Sequence, residues 1–315
     1  MGGLPDRLPV SPEQLKSSKK NPLKTAPGSR QDSSKEFDFT ARDFERVRAL
    51  IYQKAGIALA ESKQEMVYSR LARRLRATGI TSFVTYLDGL EAGHDADEWE
   101  AFTNALTTNL TSFFREAHHF PILADHLKGR SGQIDLWCSA SSTGEEPYSM
   151  AMTACEVFNT LTPPVRIVAT DIDTNVLNTA ANGVYTADRL DKMSPERARR
   201  FFQRGKGDQE GMVRVRQELR QLVTFKKLNL LGADWALSGP FDAIFCRNVM
   251  IYFDKPTQGR ILTRFAPLMK PDALLFAGHS ENFLYVSDAF KLRGKTVYEL
   301  DDQPGLKGRS AFRHA

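Results

Sequence analysis

The sequence has few cysteines and no long apolar run. Its three cysteines are Cys138, Cys155 and Cys246, and no two of them form a C-x-x-C pair, so neither a disulfide framework nor a cysteine-based metal site is expected. No apolar stretch approaches the ~18 residues of a membrane span. The N-terminal MGGLPDRLPV lacks the apolar core of a secretory signal. We therefore expect a cytoplasmic protein with reduced, buried thiols.

The sequence also lacks a strong charge of either sign. It has 43 Lys and Arg against 38 Asp and Glu, a net charge of +5 over 315 residues. This modest basic excess favours an acidic partner, either a carboxylate-rich protein surface or nucleic acid. Composition does not distinguish the two. With 41% hydrophobic residues, the chain is long enough for two domains.

The composition of the chain changes near its two ends. Residues 1–35 are rich in Pro, Ser, Lys and Gly without aromatics, which predicts a disordered leader, and residues 301–315 are interpreted as a basic tail. Residues 36–107 carry four apolar stripes at helical spacing and are predicted to be an all-helical domain. Thr40 is its expected first N-cap, and Gly79 ends its second helix. Residues 108–120 form a linker, unusually aromatic, that we expect to pack on the next domain.

Residues 121–300 alternate apolar strands with helices, which predicts a doubly wound α/β domain. The first predicted strand ends at residues 136–138, and the others span residues 165–170, 223–227, 241–246, 274–277 and 296–300. Residues 183–222 interrupt this alternation with a helix capped by Ser194 and a glycine-rich hairpin. We therefore predict an inserted small antiparallel β-subdomain there.

The stretch LWCSASSTGEEPYSMAM, residues 136–152, organises the second domain. It predicts a strand, a loop of small residues and a helix, the first half of a βαβ unit. The dinucleotide fingerprint G-x-G-x-x-G is absent, since only Gly144 is a glycine. The next strand ends in Asp171, 27 residues after Gly144, near the spacing at which an acid meets ribose hydroxyls. A pyrophosphate-binding turn is therefore not expected, and a ligand with a ribose but no phosphate fits this pattern better.

Several polar residues follow predicted strands, where open α/β sheets bind ligands. Other interpretations exist for single residues. Asp171 is also a possible helix cap, although Asp173 is the better one. His118 and His119 are assigned to packing and hydrogen bonding because no carboxylate or cysteine spacing supports a metal site, and His279 is interpreted in the same way.

Five motifs in order carry a family resemblance: NLTSFFREAHHF, SASSTGEEPYS, ATDID, FDAIFCRNVMIYF and LLFAGHSENF. Together they resemble the bacterial chemotaxis receptor methyltransferases, the CheR-type protein-glutamate O-methyltransferases. The resemblance covers roughly residues 37–300. It is greatest to the enterobacterial-type members, whose β-subdomain binds a short peptide at the receptor C-terminus.

The resemblance implies an S-adenosylmethionine-dependent methyltransferase domain without a metal. It implies methyl transfer to glutamate side chains of chemoreceptors, giving methyl esters and S-adenosylhomocysteine in sensory adaptation. Asp171 would accept the ribose hydroxyls, Glu146 would meet the methionine ammonium and Asn229 the adenine edge. Arg115 and Tyr252 are the expected catalytic residues, nearest the transferred methyl. The expected cofactor-binding residues are Asn109, Thr111, Arg115, Glu146, Asp171, Asn229, Leu230, Arg247 and Asn248.

The resemblance also implies partners. The receptor helix is expected to dock on Arg70, Arg73 and Arg74. The receptor tail peptide is expected to bind the hairpin that contains Gly205 and Gly207, by adding to its sheet as a further strand. We expect a monomer, recruited from the cytoplasm to membrane receptor arrays, without nucleic-acid binding or membrane insertion.

Two other functions fit parts of the sequence. A methyltransferase acting on nucleic acid or on a small molecule would suit the basic second helix, but no N/D-P-P-Y/F motif follows the fourth strand. A non-catalytic adaptor would keep the fold and bind receptors. The presence of Arg115, Tyr252 and the whole cofactor set argues against it.

Overall fold

A computed structural model of the protein describes residues 35–93 and 95–301. Apart from their boundary residues, the predicted leader and basic tail lie outside this part. The N-terminal region is helical, with a 3-10 turn at Glu61–Lys63 before its second helix. Its helices are α1 (Ala41–Ala55), α2 (Gln64–Thr78), α3 (Phe83–Ala92) and α4 (Ala96–Leu106).

The ends of these helices follow from local chemistry. Thr40 and Asp43 form a reciprocal capping box at the start of α1, and Gly79 ends α2 in the left-handed conformation. Both predictions are confirmed. Buried residues from all four helices form one hydrophobic core, separate from the cores of the rest of the chain. Helix α1 contributes Phe44, Val47 and Ile51 to it.

The rest of the chain contains six further helices and ten strands among the described residues. The helices are α5 (His119–Leu127), α6 (Glu145–Val157), α7 (Thr174–Asn182), α8 (Pro195–Phe201), α9 (Gln217–Gln221) and α10 (Lys255–Phe265). The strands are β1 (Ile134–Cys138), β2 (Val165–Asp171), β3 (Val184–Thr186), β4 (Phe202–Arg204), β5 (Met212–Val215), β6 (Val223–Lys227), β7 (Phe241–Cys246), β8 (Met269–Ala277), β9 (Phe290–Gly294) and β10 (Val297–Leu300).

Seven strands form one mixed sheet in the order β6-β2-β1-β7-β8-β10-β9. The first five are parallel to one another, and β10 runs antiparallel to both β8 and β9. The chain passes from β1 through β2 to β6, and then returns to the other side of β1 as β7. The topological switch point therefore lies between β1 and β7, where ligands of such sheets bind. The predicted doubly wound class is confirmed.

Alternate residues of each central strand enter different cores. In β1, Leu136 and Cys138 face the core covered by α5 and α6, whereas Trp137 faces the core covered by α10. This period of two is dictated by strand geometry. It requires an apolar residue at nearly every position, which is why β7 is buried along its whole length.

The predicted insertion between β2 and β6 is confirmed as a small antiparallel sheet in the order β3-β5-β4. Ser194 caps α8 as expected. The sequence predicts the hairpin of β4 and β5, which flank a glycine-rich turn, but not β3, which follows α7 directly after Gly183 and has no such turn beside it. Among the described residues, no helix combines the length and apolarity needed to cross a membrane.

Candidate active site

A cavity of about 380 Å³ opens at the carboxyl ends of β1, β2 and β7. All the residues predicted to bind the cofactor or to catalyse line it, although they come from widely separated segments of the chain. They are Asn109, Thr111, Arg115, Glu146, Asp171, Asn229, Leu230, Arg247, Asn248 and Tyr252.

The helical region supplies the roof of this cavity. Ala55 and the segment Ile57 to Ala60 line it, together with Lys63 and Met66 at the start of α2. The backbone N–H of Ala58 donates to the Tyr252 carbonyl at 2.9 Å. The roof is therefore hydrogen-bonded to the segment that carries one of the predicted catalytic residues.

Asp171 ends β2 and is only 8% exposed. Its carboxylate accepts the backbone N–H groups of Ser142 at 2.8 Å and Asp173 at 3.0 Å. Burial raises the pKa of Asp171 to about 6 despite these two hydrogen bonds. Asp173, not Asp171, caps α7 through the N–H groups of Asn175 and Val176, as predicted. Asp171 is thus left to present acceptor oxygens to the cavity.

Two amide side chains in the wall already have protein partners. Asn109 donates its amide N–H groups to Asp173 at 2.8 Å and to Thr107 at 3.2 Å. Asn229 donates to the Lys54 carbonyl at 2.8 Å and accepts the Leu231 N–H at 2.9 Å. The amide expected to meet an adenine edge thus joins the end of α1 to the segment after β6 in this structure.

A buried ion-pair network forms the deepest wall. Arg247 donates to Glu146 at 2.5 Å and to the Arg115 carbonyl at 2.5 Å, and its guanidinium lies 3.3 Å from the Glu116 carboxylate. Glu146 also accepts the Cys138 thiol at 3.3 Å. Burial raises the pKa of Glu146 even though Arg247 lowers it. The carboxylate expected to meet an ammonium is therefore already paired with a protein cation.

Sequence reasoning missed two carboxylates, Glu116 and Glu281. Glu116 accepts from Asn248 at 3.2 Å and from His279 Nδ1 at 2.9 Å. Burial alone would raise its pKa, but the His279 hydrogen bond and the Arg247 charge hold the pKa of Glu116 at about 2. Both glutamates lie inside the quoted motifs NLTSFFREAHHF and LLFAGHSENF, and this was the signal available to find them.

Glu281 fixes the loop after β7. It is 5% exposed, and its carboxylate accepts the backbone N–H groups of Gly278, Asn248 and Met250 at 2.6 to 2.9 Å. Asn248 itself has a positive φ of 59°. Phe114, Glu116 and Ser142, with φ of 53°, 53° and 47°, share this rare conformation near the cavity. Such backbone persists where the surroundings over-determine it, as at active sites.

Glu116, His118 and His119 place possible metal-ligand atoms within 4.8 Å of one another. Sequence spacing gave no carboxylate for such a group, and the turn at Glu116 supplies one. A cation there would lie beside the Arg247 guanidinium, which is 3.3 Å from the Glu116 carboxylate. The buried His119 ring contacts the Lys295 carbonyl at 3.0 Å and packs on Phe276. The group fits an ion-pair network better than a metal centre.

The mouth of the cavity differs from its deep wall. Arg115 donates to the Leu110 carbonyl at 2.8 Å, and no carboxylate within residues 35–93 or 95–301 pairs with its guanidinium. The Tyr252 hydroxyl has no hydrogen-bond partner in the same part of the chain. Leu110 and Ile251, which line the mouth, are 78% and 51% exposed.

The predicted substrate-docking arginines lie outside the cavity and differ in their contacts. Arg70 donates to the Thr107 carbonyl at 2.5 Å, and Arg74 pairs with Glu98 at 2.6 Å. Arg73 is exposed without an ion pair in the described part of the chain. Two of the three guanidinium groups thus already have internal partners, which the helical spacing did not reveal.

The two glycines of the hairpin loop also differ. A Cβ at Gly205 would lie 1.9 Å from the Gln209 carbonyl, so this glycine is required by its own loop and not by an approaching partner. Gly207 has a φ of 58°, and a Cβ added there would meet no atom of the described residues within 4 Å. The space beside Gly207 is therefore open, and only this glycine fits the predicted role.

Comparison with known proteins gives consistent matches over most of the chain. Residues 42–107 match the family model "CheR methyltransferase, all-alpha domain", and residues 109–299 match "CheR methyltransferase, SAM binding domain". The chain is 57% identical over 257 residues to the chemotaxis protein methyltransferase of Escherichia coli K12, covering 82% of this chain and 90% of that protein.

Two further relatives agree. The chemotaxis protein methyltransferase of Klebsiella aerogenes is 59% identical over 257 residues, which are 82% of this chain and 89% of that protein. Chemotaxis protein methyltransferase 2 of Pseudomonas aeruginosa is 53% identical over 268 residues, 84% of this chain and 95% of that protein.

Proposed function

This chain belongs to the CheR methyltransferase family, and we propose that it methylates the side-chain carboxylates of specific chemoreceptor glutamates, giving methyl esters. One observation carries this choice of acceptor. Arg115 lines the same cavity as Tyr252, and its guanidinium has no carboxylate partner among the described residues. A planar cation of this kind suits bidentate pairing with a carboxylate.

The cavity fits S-adenosylmethionine by its size and by its residues. Its volume of about 380 Å³ lies within the usual range for small-molecule sites. Buried Asp171 retains acceptor capacity for ribose hydroxyls, and Leu230 and Ile172 provide apolar surface for an adenine ring. Glu146 and Arg247 offer both signs of charge to a zwitterionic amino-acid group. When bound, the cofactor supplies an electrophilic methyl group.

The residues of the chain have little proton chemistry to perform. A glutamate with a pKa of about 4.3 is already ionised at neutral pH, so no general base is required. Arg115 would hold the acceptor carboxylate, and the Tyr252 hydroxyl would donate a hydrogen bond to it. The roof segment would exclude water. Alignment of this kind is worth several kcal/mol, up to about 7–11.

The surroundings of the mouth support a protein acceptor. Leu110 and Ile251, which line the same cavity as Arg115, expose apolar surface that a macromolecule can cover. Lys63, just before α2, and Met66, Arg70 and Arg73 within α2 are spaced for one helix face, and the first two line the cavity. We propose that the acidic receptor helix lies along this stripe. Arg74 is left out because its guanidinium binds Glu98.

The small sheet is proposed to bind the receptor tail. Both β3 and β4 are edges of this sheet, so a tail peptide can add as a further strand. The bound receptor tail would then act as a flexible tether and raise the local concentration of enzyme near the target glutamates. Gly207→Asn adds a side chain yet tolerates the left-handed backbone. It should weaken binding to an immobilised tail peptide while cofactor affinity stays unchanged. Wild-type peptide affinity in this variant would contradict the proposal.

The central experiment uses radiolabelled S-adenosylmethionine with a chemoreceptor cytoplasmic fragment. We expect label on the receptor that mild base releases as methanol, since a methyl ester hydrolyses whereas a methylated amine does not. A receptor fragment with the candidate glutamates replaced by alanine is the matched control. Stable label, or equal label on nucleic acid, would reject glutamate methylation.

A further inference from the structure

The linker that carries Arg115 is held by the inserted β-subdomain. Arg189, in the 3-10 turn after β3, donates to the Thr111 carbonyl at 3.3 Å and also pairs closely with Glu145 at the start of α6. One guanidinium thus connects the insertion, the linker and the helix that carries Glu146.

Aromatic packing makes a second connection. The Phe113 ring lies edge-on to Tyr185 of β3 and Phe202 of β4, with ring centroids 5.1 and 5.3 Å apart. The Tyr185 hydroxyl donates to the Thr143 carbonyl, in the small-residue loop, at 2.7 Å. The insertion therefore contacts both cavity-lining segments, at positions one or two residues from groups that line the cavity.

The charges make Arg189 hard to replace. Glu145 is fully buried, and its other carboxylate oxygen accepts the Thr143 hydroxyl at 2.6 Å. Arg189 is partly exposed and is the only cation paired with Glu145 in the described part of the chain. Without Arg189, the fold would keep a buried carboxylate that lacks its counter-ion, which is strongly unfavourable.

We propose that Arg189 is a positioning residue for methyl transfer, because it fixes the linker through Thr111 and so sets the orientation of Arg115. The inserted β-subdomain is then part of the catalytic scaffold as well as a docking module. The kinetic arm of its test rests on the proposed receptor-glutamate activity. A structural arm, hydrogen exchange, does not.

The first test compares Arg189→Gln with the wild type. We expect a kcat at least tenfold lower on a tailless receptor fragment, with S-adenosylmethionine affinity changed less than threefold, because a misplaced catalytic group costs turnover more than binding. Amide hydrogen exchange of residues 109–116 should become faster. Arg199→Gln, which removes an exposed cation from α8 of the same insertion, should leave kcat and exchange unchanged.

A double variant separates positioning from charge balance. Arg189→Gln combined with Glu145→Gln removes the buried charge, so thermal stability should return while kcat stays low and linker exchange stays fast. Recovery of wild-type kcat in the double variant would overturn the proposal, since Arg189 would then only neutralise Glu145. Unchanged linker exchange in Arg189→Gln would overturn it as well, even if the wild type failed to methylate the receptor.

Discussion

The deep wall and the mouth of the cavity differ in the burial and the pairing of their charged side chains. In the deep wall, Arg247, Glu146 and Glu116 are buried or nearly so and paired with one another. At the mouth, Arg115 and Tyr252 are half-buried without charged partners in the described part of the chain, and the same cavity is lined by exposed Leu110 and Ile251. The charges of the deep wall are thus paired within the described part of the chain, whereas the Arg115 cation at the mouth is not.

Under the proposed function, this difference assigns the cofactor to the deep wall and the acceptor substrate to the mouth. A wall of buried, paired charges is preorganised and holds one ligand geometry at little reorganisation cost. An unpaired cation at an open edge gains its partner only from a substrate. Changes in the deep wall should therefore affect folding and cofactor binding, whereas changes at the mouth should affect turnover.

Removing the central cation of the deep wall should have the largest effect. Arg247→Gln leaves Glu146 and Glu116 with their like charges uncompensated, and we expect a stability loss of about 3–5 kcal/mol. Urea unfolding followed by circular dichroism measures this. Arg166→Gln, which breaks an exposed pair with Asp135, should change stability little. Equal losses in the two variants would erase the distinction between buried and exposed pairs.

At the mouth, Arg115→Ala should lower kcat on receptor by about 100-fold because the acceptor carboxylate loses its alignment. The fold and S-adenosylmethionine affinity should be retained, since no ion pair in the described part is lost. Steady-state kinetics and calorimetry separate these two outcomes. Arg115→Lys, which keeps the charge without the planar fork, should recover only part of the rate. A loss confined to cofactor affinity would instead give Arg115 the cofactor-binding role that we expect of the deep wall.

The pH dependence of cofactor binding should sharpen the comparison further. Asp171 has a raised pKa of about 6, and its ionised form is the better acceptor for ribose hydroxyls. Affinity should therefore be full above about pH 7 and fall as Asp171 is protonated, by about tenfold at about pH 5. Asp171→Asn should bind weakly with a flatter profile, which distinguishes Asp171 from Glu146, whose pKa is also raised. A wild-type profile without any fall would exclude this role.

The protonation of Asp171 acts on folding stability with the opposite sign. Its folded-state pKa exceeds the ordinary value of 3.8, so its contribution to stability is largest below pH 3.8 and decreases as the pH rises through about 6. Binding and stability therefore respond in opposite directions to the same proton. Measuring both on one preparation tests the assignment twice.

The smallest effect is expected on the docking stripe. Arg73→Glu should raise KM for receptor about threefold at low salt, and the difference should shrink at high salt because exposed charges are screened over about 8–10 Å. Cofactor affinity should not change. Arg74→Gln should instead weaken the pair with Glu98 and leave KM unchanged. If both arginines alter KM equally, the proposed stripe is wrong.

The features that sequence predicted best depend on neighbouring residues. The Thr40 capping box, the Asp173 cap and strands such as β6 and β7 are encoded within a few residues, and each lies where predicted. The edge strand β9 was missed because it carries Lys291, Arg293 and an exposed Leu292. An edge strand needs little apolar surface, so it shows little pattern.

The side-chain partners inside the site could not be predicted in this way. Arg247 meets Glu146 across 101 residues of sequence, and Asn248 meets Glu116 across 132. Position at a strand end predicted that these residues would meet in one cavity. It did not predict that Glu146 would pair with Arg247, or that Asn229 would bind the end of α1, because these contacts depend on how separate segments pack.

The hydrogen bond from Ala58 to Tyr252 has a consequence for how the protein is made. Its donor leaves the ribosome long before its acceptor, since the two lie almost two hundred residues apart, and the Lys54–Asn229 contact spans 175 residues. At a synthesis rate of about 5–20 residues per second, the strand ends that these helices cover are made on the order of 10–40 s after the helices. A nascent chain therefore cannot complete the cofactor site until the segment that carries Tyr252 has been synthesised.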